Sequence, residues 1–195
     1  LKKLPKIDTL IDIGVGENGT EVLYNHFNSQ KVILVDPLDE SEFFVNNNLS
    51  NRDVSFIKKA IGSNNEKKII NIESKVNRST FLEVTEINFE NSIDSKREVE
   101  VDTLDNVLKE FNQLGNLGIK IDTEGYEFNV IKGLGENISK IKLIHLEHHF
   151  DDMIIKNYKL SDIHNYLKNN NFTKIFKIKM KFRKSFEYIY KNNNF

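Results

Sequence analysis

The sequence has 195 residues and no cysteine, and its 28 basic and 29 acidic side chains leave a net charge of -1. This length suits one domain with a substantial core, while the lack of cysteine excludes disulfides, thiolate metal sites and cysteine nucleophiles. With no basic excess, we expect no nucleic-acid partner.

The sequence has no apolar run long enough to cross a membrane, and the N-terminal LKKLPKI lacks the apolar core of a secretory signal. We therefore expect a cytoplasmic protein without stable membrane insertion. Because the first residue is Leu1 and not Met, the chain is a candidate for part of a longer polypeptide.

Short apolar strands alternate with helical segments, which is typical of a parallel sheet covered on both faces. The predicted strands lie at residues 8–13, 31–35, 54–58, 117–122, 141–147, 172–180 and 186–191. The predicted helices lie at residues 19–28, 39–48, 102–111, 124–132 and 161–170, the last with Ser161 as its N-cap. Because only a few residues separate the last two strands, they should form an antiparallel hairpin. This outline is the α/β, Rossmann-like class I methyltransferase fold, with a mostly parallel seven-stranded sheet.

One segment departs from the alternation. Residues 63–100 are polar and rich in asparagine, and residues 67–72 are their only clear strand candidate. We interpret the chain as a single domain, residues 1–195, in which this segment is a lid or a substrate-specificity insertion. A surface insertion without a function is the alternative.

A glycine-rich loop follows the first predicted strand, in the sequence IDIGVGENGT. A tight strand-to-helix turn leaves backbone N–H groups facing a ligand, and glycine lets the chain approach that ligand closely. We predict that Gly14 and Gly16 contact a nucleotide-like cofactor. The G-x-G-x-x-G spacing alone does not identify which one.

Acidic residues near the loop narrow the choice of cofactor. Asp12 would repel a diphosphate, but it suits the ammonium and sulfonium groups of S-adenosylmethionine. Asp36, followed by Pro37, can accept hydrogen bonds from ribose hydroxyls, which suits NAD equally well. An NAD-dependent oxidoreductase is therefore one alternative, a noncatalytic S-adenosylmethionine-binding module is another, and Asp12 could also simply cap the next turn.

Asp122 and Glu124 follow the strand predicted at residues 117–122. Ligands of open α/β sheets bind beyond the carboxyl ends of the strands, so both carboxylates should face the same cleft as Asp12. Three acids around one cleft imply a cationic ligand or a proton to remove. The alternative is that Asp122 and Glu124 only stabilise a helix N-terminus.

Seven blocks follow one another in a recognisable order. They are IDIGVGENGTE (11–21), VDP (35–37), KKAIGS (58–63), Ser79-Thr80, VEVDTLDNVL (99–108), IKIDTEGYEFNVIKG (119–133) and LIHLEHH (143–149). Together they resemble the FkbM family of S-adenosylmethionine-dependent methyltransferases, over nearly the whole chain. The resemblance implies S-adenosyl-L-methionine as cofactor and methyl transfer to a hydroxyl oxygen, commonly on a sugar, a glycan or a small natural product. It also implies that Ser79 and Thr80 line the substrate side of the cleft.

Methyl transfer to an alcohol needs an in-line acceptor oxygen and benefits from a general base. We predict that Glu124 and His148 are the base and its partner, and that Asp122 orients the methionine end of the cofactor. If the last block is a regular strand, its other polar residues share the face opposite to His148. These residues are His145, Glu147 and His149. We expect no metal; a divalent cation held by Asp122, Glu147 and His148 is the alternative.

Overall fold

The computed structural model describes residues 4–49, 53–73, 75–83, 93–149, 155–180 and 185–195. The strands are β1 (Thr9–Ile13), β2 (Lys31–Val35), β3 (Val54–Ile57), β4 (Ala60–Ile61), β5 (Glu66–Glu73), β6 (Ile93–Asp102), β7 (Leu117–Ile121), β8 (Ile141–His149), β9 (Phe172–Lys179) and β10 (Ser185–Asn192). The α-helices are α1 (Glu21–Phe27), α2 (Asp39–Asn48), α3 (Leu104–Lys109), α4 (Glu127–Lys132) and α5 (Leu160–Asn169). Two 3-10 helices span Val76–Arg78 and Gly135–Lys140.

The main sheet has seven strands in the order β3-β2-β1-β7-β8-β10-β9. The first five strands in this order, β3, β2, β1, β7 and β8, run parallel, and β10 lies antiparallel to both of its neighbours. The predicted α/β fold with a terminal antiparallel hairpin is therefore confirmed. Strand order reverses between β1 and β7, which is where open α/β sheets bind their ligands.

The two faces of the main sheet bury different apolar residues. Ile11, Ile119 and Ile144 pack against the side of α3, α4 and α5, whereas Leu10 and Val32 pack with residues of α1 and α2. The strands β1 and β7 are buried along their whole length, as expected for central strands covered by helices on both faces. A charged residue in these strands therefore needs a buried partner.

A second sheet, with the order β4-β6-β5, forms from the polar segment. The strand predicted at residues 67–72 lies within β5, which pairs antiparallel with β6. The sequence did not predict β6, because most of its residues are partly or fully exposed and its apolar residues do not alternate regularly. Helix α3 then begins at Leu104, with the Thr103 side chain accepting a hydrogen bond from the Asn106 N–H.

Helices α1, α3, α4 and α5 begin one to three residues away from their predicted starts, and the last two differences have a visible cause. Helix α4 begins at Glu127 and not at residue 124, because Glu124 adopts a left-handed backbone with φ of 47°. Ser161 lies inside α5 and does not cap it. Lys159 precedes that helix, and its N–H donates to the Asp162 carboxylate at 2.8 Å. In the described part of the chain, no helix is long and apolar enough to cross a membrane.

Candidate active site

A cavity of about 870 Å³ opens at the carboxyl ends of the central strands. Its walls come from the glycine loop, the end of β2, the ends of β7 and β8, and residues 75–79 beside the second sheet. Its volume lies within the usual range for small-molecule sites, and it lies at the reversal of strand order.

The glycine loop is packed too closely to accept side chains at two positions. Gly14 has φ of +86°, and a Cβ added there would lie 1.8 Å from the Asp122 carbonyl oxygen. At Gly16, with φ of +59°, an added Cβ would lie 2.1 Å from the Asn77 Oδ1. The same Asn77 oxygen accepts a hydrogen bond from the Glu17 N–H at 2.6 Å. The loop is therefore held between β7 and the segment that contains Asn77.

Asp36 organises the loop from the end of β2. Its two carboxylate oxygens accept hydrogen bonds from the N–H groups of Gly16 and Leu38, each at 3.0 Å. Burial raises the pKa of Asp36, although these hydrogen bonds act in the opposite direction. Asp36 and Pro37 both line the cavity, as predicted for residues that face the ribose.

The structure places Asp12 away from the cavity. Its carboxylate is fully buried and accepts hydrogen bonds from the Tyr24 hydroxyl at 2.5 Å and the Lys120 ammonium at 3.2 Å. Asp12 and Lys120 are paired positions of neighbouring strands, which explains the contact. The structure thus does not bring Asp12 together with the other predicted cofactor ligands. A lysine in a buried strand was the signal in the sequence, because it requires a carboxylate partner.

Lys120 links Asp12 to the cavity wall, since its ammonium also lies 3.4 Å from the Asp122 carboxylate. Burial alone would lower the pKa of Lys120, but the two carboxylates outweigh it and raise that pKa. Burial alone would likewise raise the pKa of Asp122, but Lys120 and His149 hold it below its ordinary value. Asp122 therefore presents a carboxylate at the cavity wall.

Glu124 and His149 meet in the cavity. The Glu124 Oε2 lies 3.3 Å from the His149 Nε2, and Glu147 Oε1 lies 3.8 Å from the same nitrogen. Burial lowers the pKa of His149, although the carboxylates of Glu127 and Asp122 oppose this. His149 is therefore neutral near pH 7.

His148 lies on the opposite face of β8. The cavity is lined by His145, Glu147 and His149, as the strand alternation predicts, whereas His148 is buried with its Nδ1 3.9 Å from Glu127 Oε2. The structure therefore does not bring His148 together with Glu124. The sequence pattern placed the two histidines on opposite faces of the strand, but it did not indicate which face would meet the cavity.

The two predicted substrate residues occupy different positions. Ser79 lines the cavity, and its buried hydroxyl has no hydrogen-bond partner among the described residues. Thr80 is buried behind the wall, where its hydroxyl donates to the Glu124 carbonyl oxygen at 2.7 Å. Thr80 thus contacts the backbone that carries Glu124.

Within the described residues, no group of three or more His, Asp or Glu side chains is arranged to hold a metal ion. The alternative metal set also required His148, which lies across the sheet from Asp122 and Glu147. The geometry thus offers no support for that set.

A family model for the methyltransferase FkbM domain matches residues 12–174. The chain belongs to this family. It is therefore an S-adenosylmethionine-dependent methyltransferase, and neither an NAD-dependent oxidoreductase nor a noncatalytic binding module. No curated protein sequence matches the chain.

Three solved structures with the same fold are distant from this chain in sequence. An rRNA methylase from Streptococcus thermophilus has 8% identity and a TM-score of 0.53, with 97% of this chain and 89% of that one covered. A putative methyltransferase from Streptococcus mutans, in complex with SAH, has 9% identity and a TM-score of 0.52, with 96% and 90% covered. Magnesium protoporphyrin IX methyltransferase from Synechocystis, with bound SAM, has 10% identity and a TM-score of 0.52, with 98% and 72% covered. These likenesses establish the fold.

The cavity fits S-adenosylmethionine. The backbone at Gly14 and Gly16 lines the cavity without a side chain, and Asp36 offers a carboxylate beside it. The buried hydroxyl of Thr123, like that of Ser79, lines the cavity without a partner among the described residues. Such groups suit a ligand with ribose hydroxyls, an ammonium group and a carboxylate.

Proposed function

We propose that this chain transfers the methyl group of S-adenosylmethionine to a hydroxyl oxygen of a sugar, a glycan or a small natural product. The observation that carries the proposal is the contact between Glu124 and His149 in the cavity, close to the glycine loop. The cofactor supplies an electrophilic methyl group on a sulfonium sulfur. Because an alcohol is a weak nucleophile at neutral pH, the protein must position it and help to remove its proton.

The proposed cofactor residues all line the cavity. They are Gly14, Gly16, Asp36, Pro37 and Asp122. The two glycines allow close approach of the loop backbone, Asp36 and Pro37 face the ribose, and Asp122 faces the ammonium of the methionine end. Asp12 supports the site indirectly, because the Lys120 ammonium forms an ion pair with both Asp12 and Asp122.

Glu124 is the proposed general base, and His149 is its partner in place of His148. A neutral His149 can donate its ring N–H to Glu124 and so fix the orientation of the carboxylate. Glu124 can then accept the proton of an acceptor hydroxyl as the new bond forms.

The carboxylates of the cavity support a hydroxyl acceptor. Those of Asp122, Glu124, Glu147 and Glu187 line the side of the cavity formed by β7, β8 and β10. The basic side chains of Lys59, Lys75, Arg78 and Lys120 also line the cavity, so its charge is mixed. Carboxylates accept hydrogen bonds readily from sugar hydroxyls. The Ser79 hydroxyl, which has no hydrogen-bond partner among the described residues, is a further contact point for such an acceptor.

Residues 63–100 are proposed to act as the substrate-specificity element of a single domain. Within this segment, residues 75–79 form part of the cavity wall, and Thr80 bonds to the backbone of Glu124. Both contacts connect the second sheet to the place where the acceptor would bind.

Calorimetric titration followed by methyl transfer tests this proposal. S-adenosylmethionine and S-adenosylhomocysteine should bind, and Asp36→Ala should weaken both. With radiolabelled S-adenosylmethionine, label should pass to members of a panel of neutral oligosaccharides and polyols. Glu124→Gln should bind S-adenosylhomocysteine like the wild type and lose transfer by roughly 10²- to 10⁴-fold.

His26→Gln, an exposed change outside the cavity, is the control and should keep both binding and transfer. Transfer of label to RNA but to no hydroxyl compound in the panel would overturn the acceptor class. Full activity of Glu124→Gln would overturn the assignment of the base.

A further inference from the structure

We propose that Glu127 and Tyr158 are positioning residues: they hold the Gly125 peptide on both sides, and this fixes the Glu124 carboxylate against His149. The inference rests on the proposed role of Glu124 as base. It assigns a function to a buried polar layer on the far side of the sheet that neither cofactor nor acceptor would touch.

The backbone of Glu124 needs such support. Glu124 has φ of 47°, in the left-handed backbone region that residues other than glycine and asparagine rarely adopt. An unfavourable conformation of this kind persists only where the surrounding structure imposes it. Thr80 holds the Glu124 carbonyl from the side of the second sheet, and the N–H of the same peptide, that of Gly125, must be held from the other side.

Glu127 and Tyr158 supply that second set of contacts. The Glu127 Oε1 accepts a hydrogen bond from the Gly125 N–H at 2.7 Å. The Tyr158 hydroxyl lies 2.8 Å from the Gly125 carbonyl oxygen and 2.7 Å from the Glu127 Oε2, so its single proton is shared between these two acceptors. Glu127 is 1% exposed and Tyr158 is 8% exposed, so water cannot easily replace either side chain.

The same layer also contacts the backbone of His149. The Lys156 ammonium donates to the His149 carbonyl oxygen at 2.9 Å and lies 3.3 Å from the His148 Nε2. His148 in turn lies beside Glu127. The polar layer formed by Glu127, His148, Lys156 and Tyr158 therefore reaches the main chain at both members of the Glu124–His149 contact. His148 thus belongs to the layer that supports the site, although it does not line the cavity.

The His149 imidazole reports whether Glu124 is in place, because a carboxylate 3.3 Å from its Nε2 stabilises the protonated ring. The other ionisable groups around the imidazole are Asp122, Glu127, Glu147, His148 and Lys156. Tyr158→Phe removes none of these groups, although it takes away one hydrogen bond to Glu127. Release of Glu124 should therefore be visible as a lower pKa of His149.

The experiment is NMR titration of the five histidine rings in the full chain, with His149→Gln to assign the His149 signal. Glu124→Gln should lower the pKa of His149 by about 1. Tyr158→Phe should lower it comparably, and adding Glu124→Gln to Tyr158→Phe should then change little. Tyr166→Phe is the matched control. The Tyr166 ring packs on Phe128, as the Tyr158 ring does, and loss of its hydroxyl should leave the pKa of His149 unchanged.

A full response to Glu124→Gln in the Tyr158→Phe background would overturn the proposal, since Glu124 would then still be in place. If Tyr158→Phe does not fold, Glu127→Gln replaces it, because it weakens the bond to the Gly125 N–H without a change of volume. The loss of the Glu127 carboxylate itself lowers the pKa of His149, so in this case only the further response to Glu124→Gln is compared. The titration uses no acceptor and no turnover. Its failure is therefore distinct from failure of the proposed methyl transfer, which the labelling experiment detects.

Discussion

Loss of the Lys120 side chain should destabilise the folded protein, because it would leave a buried charge without its partner. Lys120 neutralises Asp12, which is fully buried, and its own side chain is 10% exposed. Lys120→Met would leave the Asp12 carboxylate with Tyr24 as a neutral partner. We expect the free energy of unfolding in urea at pH 7 to fall by about 3–5 kcal/mol, the usual cost of breaking a buried ion pair.

The double variant Asp12→Asn/Lys120→Met is the control for this prediction. It removes both charges, so it should recover much of the stability that Lys120→Met loses. An unchanged urea midpoint for Lys120→Met would show that Asp12 is solvated or protonated in the folded protein.

Gly14 and Gly16 should respond differently to the same substitution. In Gly14→Ala the new Cβ would meet the Asp122 backbone, which cannot move without distorting β7. In Gly16→Ala it would meet the Asn77 side chain, which can rotate away. Both changes carry the backbone cost of a positive φ, about 1–3 kcal/mol.

We therefore expect Gly14→Ala to lower the unfolding temperature more than Gly16→Ala. It should also abolish binding of S-adenosylhomocysteine in calorimetry, whereas Gly16→Ala should weaken it. Equal effects of the two changes would mean that the loop and β7 are less tightly packed than the structure shows.

Single residues of the site were predictable where one strand end determines their position. Asp36 follows an apolar strand, and it lines the cavity. Asp12 also ends an apolar strand, yet its orientation depends on Lys120 in a strand 108 residues away. Likewise, the choice between His148 and His149 depends on which face of β8 meets the cavity, and this is a property of the assembled sheet.

At the scale of elements, an ion pair connects the second sheet to α2. The Arg97 guanidinium donates two hydrogen bonds to the Glu40 carboxylate, at 2.6 and 2.8 Å. Both side chains are about one-third exposed, so solvent screens the pair. Arg97→Ala should lower the free energy of unfolding by about 0.5–1 kcal/mol and speed amide exchange in β5 and β6.

The pH dependence of this effect has a definite sign. The hydrogen bonds from Arg97 hold the pKa of Glu40 below its ordinary value of 4.5. The pair therefore stabilises the fold above pH 4.5, and its contribution disappears as the pH falls through the lower folded pKa. Lys67→Ala removes an exposed pair with Glu98 between β5 and β6 and should not change exchange at the contact with α2. Equal exchange in wild type and Arg97→Ala would contradict the prediction.

Elements were predictable in proportion to the regularity of their apolar pattern. The strands β1, β2 and β7 are short apolar runs and were found with nearly correct bounds. By contrast, β6 is a strand only because it pairs with β5 and β4, and its own side chains show little pattern. Polar strands of this kind obtain their stability from pairing between distant segments, which a local sequence pattern does not reveal.

At the scale of the whole molecule, the order of the blocks determined more than any single motif. Alternating strands and helices predict parallel neighbours, and the short terminal connection predicts an antiparallel hairpin, so the main sheet follows from the sequence. The cavity then lies where the order of the strands reverses. The arrangement of charges within it does not follow, because β1, β7, β8 and β10 each bring ionisable groups from separate parts of the chain.

Stability of the whole molecule should fall as the pH drops below neutrality, and His164 gives the clearest cause. Burial, together with the positive charges of Lys174, His148 and Lys177, lowers the pKa of His164 from 6.5 to about 4. Its ring also forms a hydrogen bond with the Tyr190 hydroxyl. Because the unfolded chain takes up the proton first, this stability is complete above pH 6.5 and is lost progressively as the pH falls towards 4.

Urea unfolding of the wild type and of His164→Gln, between pH 7.5 and about 4, measures how much of this pH dependence comes from His164. His164→Gln should be less stable than the wild type near neutral pH, and the difference should shrink as the pH falls. Burial of His149 acts in the same direction, whereas the raised pKa of Asp36 acts in the opposite one, so the variant should flatten the dependence without abolishing it. His26→Gln, at an exposed position, should keep the wild-type dependence. Parallel pH curves for His164→Gln and the wild type would show that His164 is already protonated, or fully solvated, in the folded protein.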